Sequence, residues 1–506
     1  MLTRRQTLGA AALAAVPFVR HARAADVPRF ALGVASGAPR PDGVVLWTRL
    51  TAPPGADDLP DVVPVRWELA RDEAFRQVVA SGVEAAERDW AHSVHAEPGG
   101  LEPGRWYWYR FRALGQASTV GRTRTAPAPD APATLDFAIA SCQRYEVNHY
   151  AAWRHLAADG LDLVLFLGDY LYEYGAQPTN VRQVGLGRIR TLDDYRARYA
   201  LYRSDPSLQA AHAACPWILV WDDHEVDNDY AGLQGQDLDP AFPARRAAAY
   251  QAYWEHQPFP KASRPTRDGM RIFDRFHWGR LATIHALDDR QHRDPQACPR
   301  PGRGGSNTLP RRDCPALQDP ARSLLGAGQE AWLAQGWDLE RPWNLLAQQT
   351  LMSPLSWRDP AGPDGPVVWT DGWDGYPAAR QRVLDTLRER RVPGVVVLGG
   401  DVHAHHVADV HADPDDPRSP VLASEFCGTS ISSHGWPQSR LDAIRGFNPH
   451  LRFARSDRRG AVRFRLDDRR LQAALLAVDD PARPDSAVSP LARFVVEAGR
   501  PGPQPA

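Results

Sequence analysis

Two hydrophobic periodicities divide the chain. From about residue 26 to 128, short β-branched and aromatic runs (GVVLWTRL, VPVRWELA, AHSVHAEP, RWYWYRFRA) are separated by Pro, Gly and Asp turns. RWYWYRFRA alternates apolar with polar positions, as a half-exposed strand does. Strands at this spacing predict a small all-β sandwich of the immunoglobulin or fibronectin kind. The segment TAPAPDAPAT (125–134) is rich in Pro and Ala and marks a linker. From Thr134 the alternation gives way to unbroken apolar runs: TLDFAIASC, LDLVLFLGD, WILVWDD, LATIHALD, NLLAQQT and GVVVLGGD. Such runs suit strands covered on both faces. Helical stretches lie between them: HYAAWRHLAADG, which stops at Gly160, then residues 191–213, and PAARQRVLDTLRER. The alternation predicts an α/β domain over 134–495. Residues 228–270 and 291–325 read as insertions or long loops over its active face. FRLDD and LQAALLAVD are strand-like, and the Pro-rich end, 496–506, is expected to be disordered.

The first 25 residues stand apart from the fold. Arg4 and Arg5 lie side by side in TRRQTLGA, a short apolar stretch follows, and Ala22-Arg23-Ala24 offers a small-residue cleavage site. This resembles a twin-arginine export signal, with Thr7 where a hydrophobe is usual. The export machinery is therefore an expected partner and a periplasmic or secreted location is expected. No later run approaches the ~18 uninterrupted apolar residues of a membrane span.

Composition adds exclusions. The 506 residues can bury large cores and hold more than one domain. Sixty basic and 61 acidic residues give a formal charge of -1, so no global field favours nucleic acid or an anionic membrane. Of five cysteines, Cys298 and Cys314 bracket a Pro/Gly/Arg-rich loop that a disulfide can close in an oxidising compartment. Cys215 and Cys427 flank apolar segments and read as core thiols.

The chemistry collects where apolar strands end. VVVLGGDVHAHH places Asp401, His403, His405 and His406 after one strand, LDLVLFLGDYLYEY places Asp169 and Tyr172 after a second, and WILVWDDHEVDND places Asp222, Asp223, His224 and Glu225 after a third. Ligands in open α/β sheets sit beyond the carboxyl ends of strands. Three strands ending in hard ligands point to a metal-dependent hydrolase. Asp169 can bridge two cations, and Tyr172 binds only a strongly Lewis-acidic ion, because its phenol must lose a proton held to about pH 10. In the acidic block Asp223 is the preferred ligand, with Asn228 a weaker one. His224 is better placed for phosphate, as proton donor or charge clamp, and Asp222 and Glu225 orient their neighbours. Asp401 and His403, two apart, point to one side and are assigned to metal; His405 and His406 are less certain ligands. Cys142 ends the first α/β strand at an equivalent position and would bind a metal as thiolate. Thiolate, phenolate and imidazole on one ion suit iron(III), and an all-oxygen neighbouring site suits calcium or magnesium.

The ordered set SC … GDYLYEY … WDDHEVDND … LAQQT … GGDVHAHH resembles the PhoD-like alkaline phosphatases and phosphodiesterases of the metallophosphoesterase superfamily. FALGVASGAPRPDGVVLWTRL looks like that family's N-terminal β-domain, and the resemblance runs from about Phe30 to Phe464. It implies an αββα sandwich with a mixed Fe(3+) and Ca(2+) site. Cys142, Asp169, Tyr172 and His403 would hold iron. Asp169 would bridge, and Asp223, Asp401 and Asn228 would serve the calcium side. Against the wider superfamily, Ser141-Cys142 replaces Asp-x-His, Asp222-Asp223-His224 replaces Gly-Asn-His, and Gln348-Gln349 stands where a metal-binding His often does. Arg290 is read as an anion contact, with a buried structural arginine as the alternative.

The resemblance implies a hydrolase in which a hydroxide acidified by the metals attacks a phosphate ester in line, with His224 stabilising the transferring group or protonating the leaving oxygen. The expected substrates are phosphate monoesters, diesters or both, used to acquire phosphate. The alternatives are a phosphodiesterase, including phospholipase D-like action on lipid head groups, and a binding protein that keeps its metals for structure.

Overall fold

The computed structural model describes residues 28–53 and 58–506. The export-signal reading of residues 1–25 falls outside them. Among the described residues no helix is long and apolar enough to cross a membrane.

Two mixed sheets pack face to face. In the first, of ten strands, Leu135–Ala140, Leu163–Leu167 and Trp217–Val220 run parallel at the centre. In the second, of seven, Ala282–Ala286, Trp343–Ala347, Val395–Gly399 and Val421–Cys427 form the parallel core. Successive side chains of a strand point to opposite faces, and both faces here find apolar partners. Leu345, Val396 and Leu398 join Phe137, Leu165, Phe426 and Phe464 in the core between the sheets. Their neighbours Leu346, Val395 and Val397 pack outward against Leu333 of helix Gly326–Gly336 and Leu384 and Leu387 of helix Pro377–Arg390. On the opposite side, helices Ala151–Ala158, Leu192–Arg203, Pro206–Ala214 and Phe242–His256 feed Trp153, Tyr199, Leu208 and Tyr253 into the core of the first sheet. The result is the expected αββα sandwich.

The helical stretch 191–213 is two helices. Asp205 caps the second through the N–H groups of Ser207 and Leu208, and Pro206 at its first position cannot continue the first. The region 228–270, expected as loop, contains the 15-residue helix Phe242–His256.

The N-terminal region is all-β, with strands at each of the four runs named above. It is less separate than a small sandwich implies. Val34–Arg40, Gly43–Arg49 and Ser93–Ala96 continue the ten-stranded sheet, through parallel pairing of Gly37 with Trp217. The same three strands also face a five-stranded sheet across a core containing Val65, Trp67, Leu69, Tyr107 and Phe111. The disordered tail expected for 496–506 is corrected: Arg500–Pro505 is the outermost strand of the ten-stranded sheet, paired with Val488–Glu497. Prolines at 501, 503 and 505 leave N–H donors only at alternate positions, which an edge strand accommodates. One of those donors, Gly502 N–H, bonds Ser424 Oγ at 2.9 Å.

Candidate metal centre

Three of the predicted ligands occupy the same place relative to their strands. Ala140, Leu167 and Gly399 are the last strand residues, and Cys142, Asp169 and Asp401 each follow two positions later. All three have left-handed backbones, with φ of 58°, 60° and 61°, and His403 does as well at 52°. For residues other than glycine this conformation costs about 1–3 kcal/mol each and collects where function over-determines the backbone. The strand ends approach closely because Gly168, at φ 101°, lies where a Cβ would fall 2.4 Å from Asp222 Cβ.

Cys142, Asp169 and His403 bring one ligand atom each within 4.8 Å of one another. Tyr172 joins them: its Oη is 2.8 Å from Asp169 Oδ2 and 3.0 Å from His403 Nε2. His403 Nδ1 lies 2.5 Å from the carbonyl of His434 and donates to it, which leaves Nε2 with a bare lone pair. Tyr172 Oη donates to Asp169 Oδ2, and the bare Nε2 of His403 lies beside it. The loop carrying His434 is held beside Cys142 by Ile431 N–H to Ser141 O and by Ser433 Oγ to Cys142 O.

Asp169 is shared with an acidic side. It clusters with Asp223 and His224 and, separately, with Asp222 and Asp401; Asp223 also clusters with Asp229 and Asp371. Asp169 Oδ1, Asp222 Oδ2, Asp223 Oδ1 and Asp401 Oδ2 are buried without a hydrogen-bond partner. Arg290 bonds Asp222 and Asp371, and Arg293 bonds Asp371 at 2.9 Å. Six clustered aspartates thus share two arginines, and buried orphan oxygens are costly unless a cation meets them. Burial pushes Asp169 and Asp401 well above the carboxylate range, helped by neighbouring aspartates. Burial, then Asp169, does the same to the Cys142 thiol and the Tyr172 phenol. A multivalent cation inverts each of these preferences, so the donor set fits a metal pair: one side with sulfur, phenol and imidazole, the other with oxygen alone.

Other expectations need amendment. Arg290, read as an anion contact, is 0% exposed, with its guanidinium among Asp222, Asp371, Asp223 and Asp401. It holds carboxylates rather than facing a ligand. Asn228 lies on the same loop as Asp223, but its side chain makes no hydrogen bond to the cluster; its backbone N–H donates to Glu173 at 3.1 Å. His405 is occupied by Thr429 N–H and Leu476 O, and His406 is packed in the core, so neither joins the ligands. Gln348 and Gln349 bind strand-end backbone, Gln349 Nε2 reaching Trp221 O and Leu287 O. The segment 291–325 is a wall: Cys298 and Cys314 are disulfide-bonded, Ser306 donates twice to Asp229 Oδ2, and Gln296 donates to Asp371. Cys215 and Cys427 are buried thiols.

Sequence reasoning missed Asp371, Asp229 and Glu173. Asp371, in WTDGW, follows no long apolar run. Burial pushes its carboxyl up, and the two arginines outweigh that. Glu225, predicted to orient neighbours, accepts from the backbone N–H groups of Asp169, Tyr170 and Asp222 at 3.0, 2.6 and 3.0 Å.

Models of the PhoD-like phosphatase and of the PhoD-like phosphatase N-terminal domain match residues 137–475 and 14–127. The chain belongs to the PhoD-like phosphatase family. It is 43% identical over 488 residues to alkaline phosphatase D of Bacillus subtilis (strain 168), covering 94% of this chain and 82% of that protein. A solved structure of PhoD superposes with TM-score 0.88 at 42% identity, over 94% of this chain and 92% of the other. Purple acid phosphatase PPD1 from yellow lupin shares the fold at TM-score 0.57 and 11% identity, over 92% and 74% of the two chains.

Proposed function

We propose that this chain is an exported, metal-dependent phosphoester hydrolase acting on phosphate monoesters. In this reading iron(III) is held by Cys142, Asp169, Tyr172 and His403, calcium by Asp223 and Asp401, and Asp169 is shared. One observation carries it: a buried thiol, phenol and imidazole converge on the same carboxylate that an otherwise acidic cluster also uses. When bound, the cations supply Lewis acidity to water and to phosphoryl oxygens.

The chain's own residues do the rest. His403 is held in one tautomer by the His434 carbonyl. Arg290 and Arg293 keep Asp371 charged, and Arg290 holds Asp222 in place. His224, with a side chain 12% exposed and a ring nitrogen within 4.8 Å of carboxylate oxygens of Asp169 and Asp223, serves as the proton donor to the leaving oxygen. Arg144 stands beside Tyr172 and Tyr174, 5.9 and 5.5 Å from the ring centroids, as an anion contact in place of Arg290. Arg4-Arg5 and Ala22-Arg23-Ala24 support twin-arginine export to the periplasm or beyond.

A second reading, hydrolysis of phosphodiesters including phospholipase D-like action on lipid head groups, draws on an apolar crevice. Leu351, Leu355, Trp357, Trp369 and Trp436 line it together with Val402, which separates Asp401 from His403. At about 20 Å³ it has no room for an ester group itself, so it contributes only an apolar edge beside the site.

Elemental analysis and a visible spectrum of protein purified without added metal, with rates on p-nitrophenyl phosphate and bis(p-nitrophenyl) phosphate, test both readings. Iron with a broad visible band and calcium-dependent turnover are expected, faster on the monoester. Zinc or manganese without the band overturns the metal assignment, a faster diester rate selects the second reading, and metal without turnover leaves a binding protein.

A further inference from the structure

We infer that Glu173 is a positioning residue for the reaction: it fixes His224 so that the one free edge of the imidazole meets the departing ester oxygen. The inference rests on the hydrolase reading above. Glu173 is fully buried, its Oε2 is 2.7 Å from His224 Nδ1, and its Oε1 accepts the Asn228 backbone N–H at 3.1 Å. With both oxygens engaged, the carboxylate cannot swing. The ring itself is confined, with the Tyr172 ring 4.1 Å away centroid to centroid and Tyr174 edge-on at 5.5 Å. A ring nitrogen of His224 lies within 4.8 Å of carboxylate oxygens of both Asp169 and Asp223. Since Nδ1 is committed to Glu173, Nε2 is the nitrogen left for a ligand.

The step balances. As the bond from phosphorus to the leaving oxygen breaks, its electron pair passes to that oxygen, which takes the proton from Nε2. Water forms the new bond to phosphorus and releases a proton to solvent, from which Nε2 is recharged. Glu173 neither gives nor takes a proton. Its contribution is an oxygen for each of two N–H donors, which the single carbonyl oxygen of a glutamine cannot match.

Substrates that differ in their need for that proton provide the test. General acid catalysis contributes roughly 10²–10⁴-fold, and a nitrophenolate departs without it. Glu173→Gln is expected to lower kcat about 100-fold on glycerol phosphate but less than about 5-fold on p-nitrophenyl phosphate. KM and metal content should stay at the wild-type values. Equal losses on both substrates, or a loss that follows metal content, overturn the inference. His224→Gln, run in parallel, separates the two failures. If it too loses equally on both substrates, the reading of His224 as proton donor falls. If it discriminates and Glu173→Gln does not, only the role of Glu173 falls. Should Glu173→Gln not fold, Glu173→Asp is measured instead: the same discrimination supports the inference, and wild-type rates on both substrates overturn it.

Discussion

The two sides of the pocket solve opposite electrostatic problems with the same strand ends. On one side Cys142, Tyr172 and His403 are neutral donors that burial keeps neutral until a cation arrives. On the other, Asp222, Asp223, Asp229, Asp371 and Asp401 bring more carboxylates together than Arg290 and Arg293 can pair. The first side needs a cation acidic enough to displace protons; the second needs positive charge of almost any hard kind. Asp169 belongs to both, which makes it the point where the comparison is most easily broken.

Asp169→Asn is therefore expected to have the largest effect, lowering kcat by about 10³-fold or more on p-nitrophenyl phosphate and reducing the content of both metals. A folded variant with near-normal turnover would refute the shared site. Arg290→Met comes next, and its effect is on stability. Removing one partner of a buried ion pair costs about 3–5 kcal/mol. Denaturant unfolding of the chelator-treated variant measures it; a loss below about 1 kcal/mol would mean that the acidic side does not depend on Arg290. Cys142→Ala should act on one side alone, removing iron and the visible band while calcium is retained. Unchanged iron would exclude the thiol as a ligand.

The smallest effect lies away from the pocket and serves as its control. His95, where the N-terminal strands meet the catalytic sheet, is buried, donates its Nδ1–H to Phe259 O at 2.8 Å, and stacks on Trp254 at 3.8 Å. Burial, partly offset by the bond to Phe259, pulls its pKa from 6.5 to about 3. The sign follows: below pH 6.5 the unfolded chain binds a proton that the folded one refuses. The stability is thus complete above 6.5 and falls with pH toward 3, by about 1 kcal/mol per unit for this one group. His95→Gln should flatten the slope of unfolding free energy against pH between 6 and 4, with metal content unchanged; an unaltered slope would remove His95 from the account.

Much of this site was legible in the chain because apolar runs covered on both faces are conspicuous and their carboxyl ends are where ligands gather. Cys142, Asp169, Tyr172, Asp223, Asp401 and His403 were picked out that way, and the structure brings them together. Arg290 was left between an anion contact and a buried structural arginine because a charged residue after a strand looks the same whether it faces solvent or other charges; only its complete burial among aspartates tells them apart. Asp371 escaped because only the three-residue strand Val367–Trp369 precedes it, and its arginine is 81 residues away.

The sequence alone determined an α/β region after an all-β start and the blocks of candidate ligands, since each depends on local periodicity and on which side chains follow a buried strand; the αββα arrangement came with the family resemblance. Tertiary structure decided what those blocks touch. The pairing of Glu173 with His224, the arginines among the aspartates, and the wall built from 291–325 are contacts between segments distant in the chain, set by sheet order rather than by any local pattern. The Pro-rich end illustrates the same limit. Its composition is that of a loose tail, yet the exposed edge of Val488–Glu497 supplies the hydrogen bonds that make it a strand.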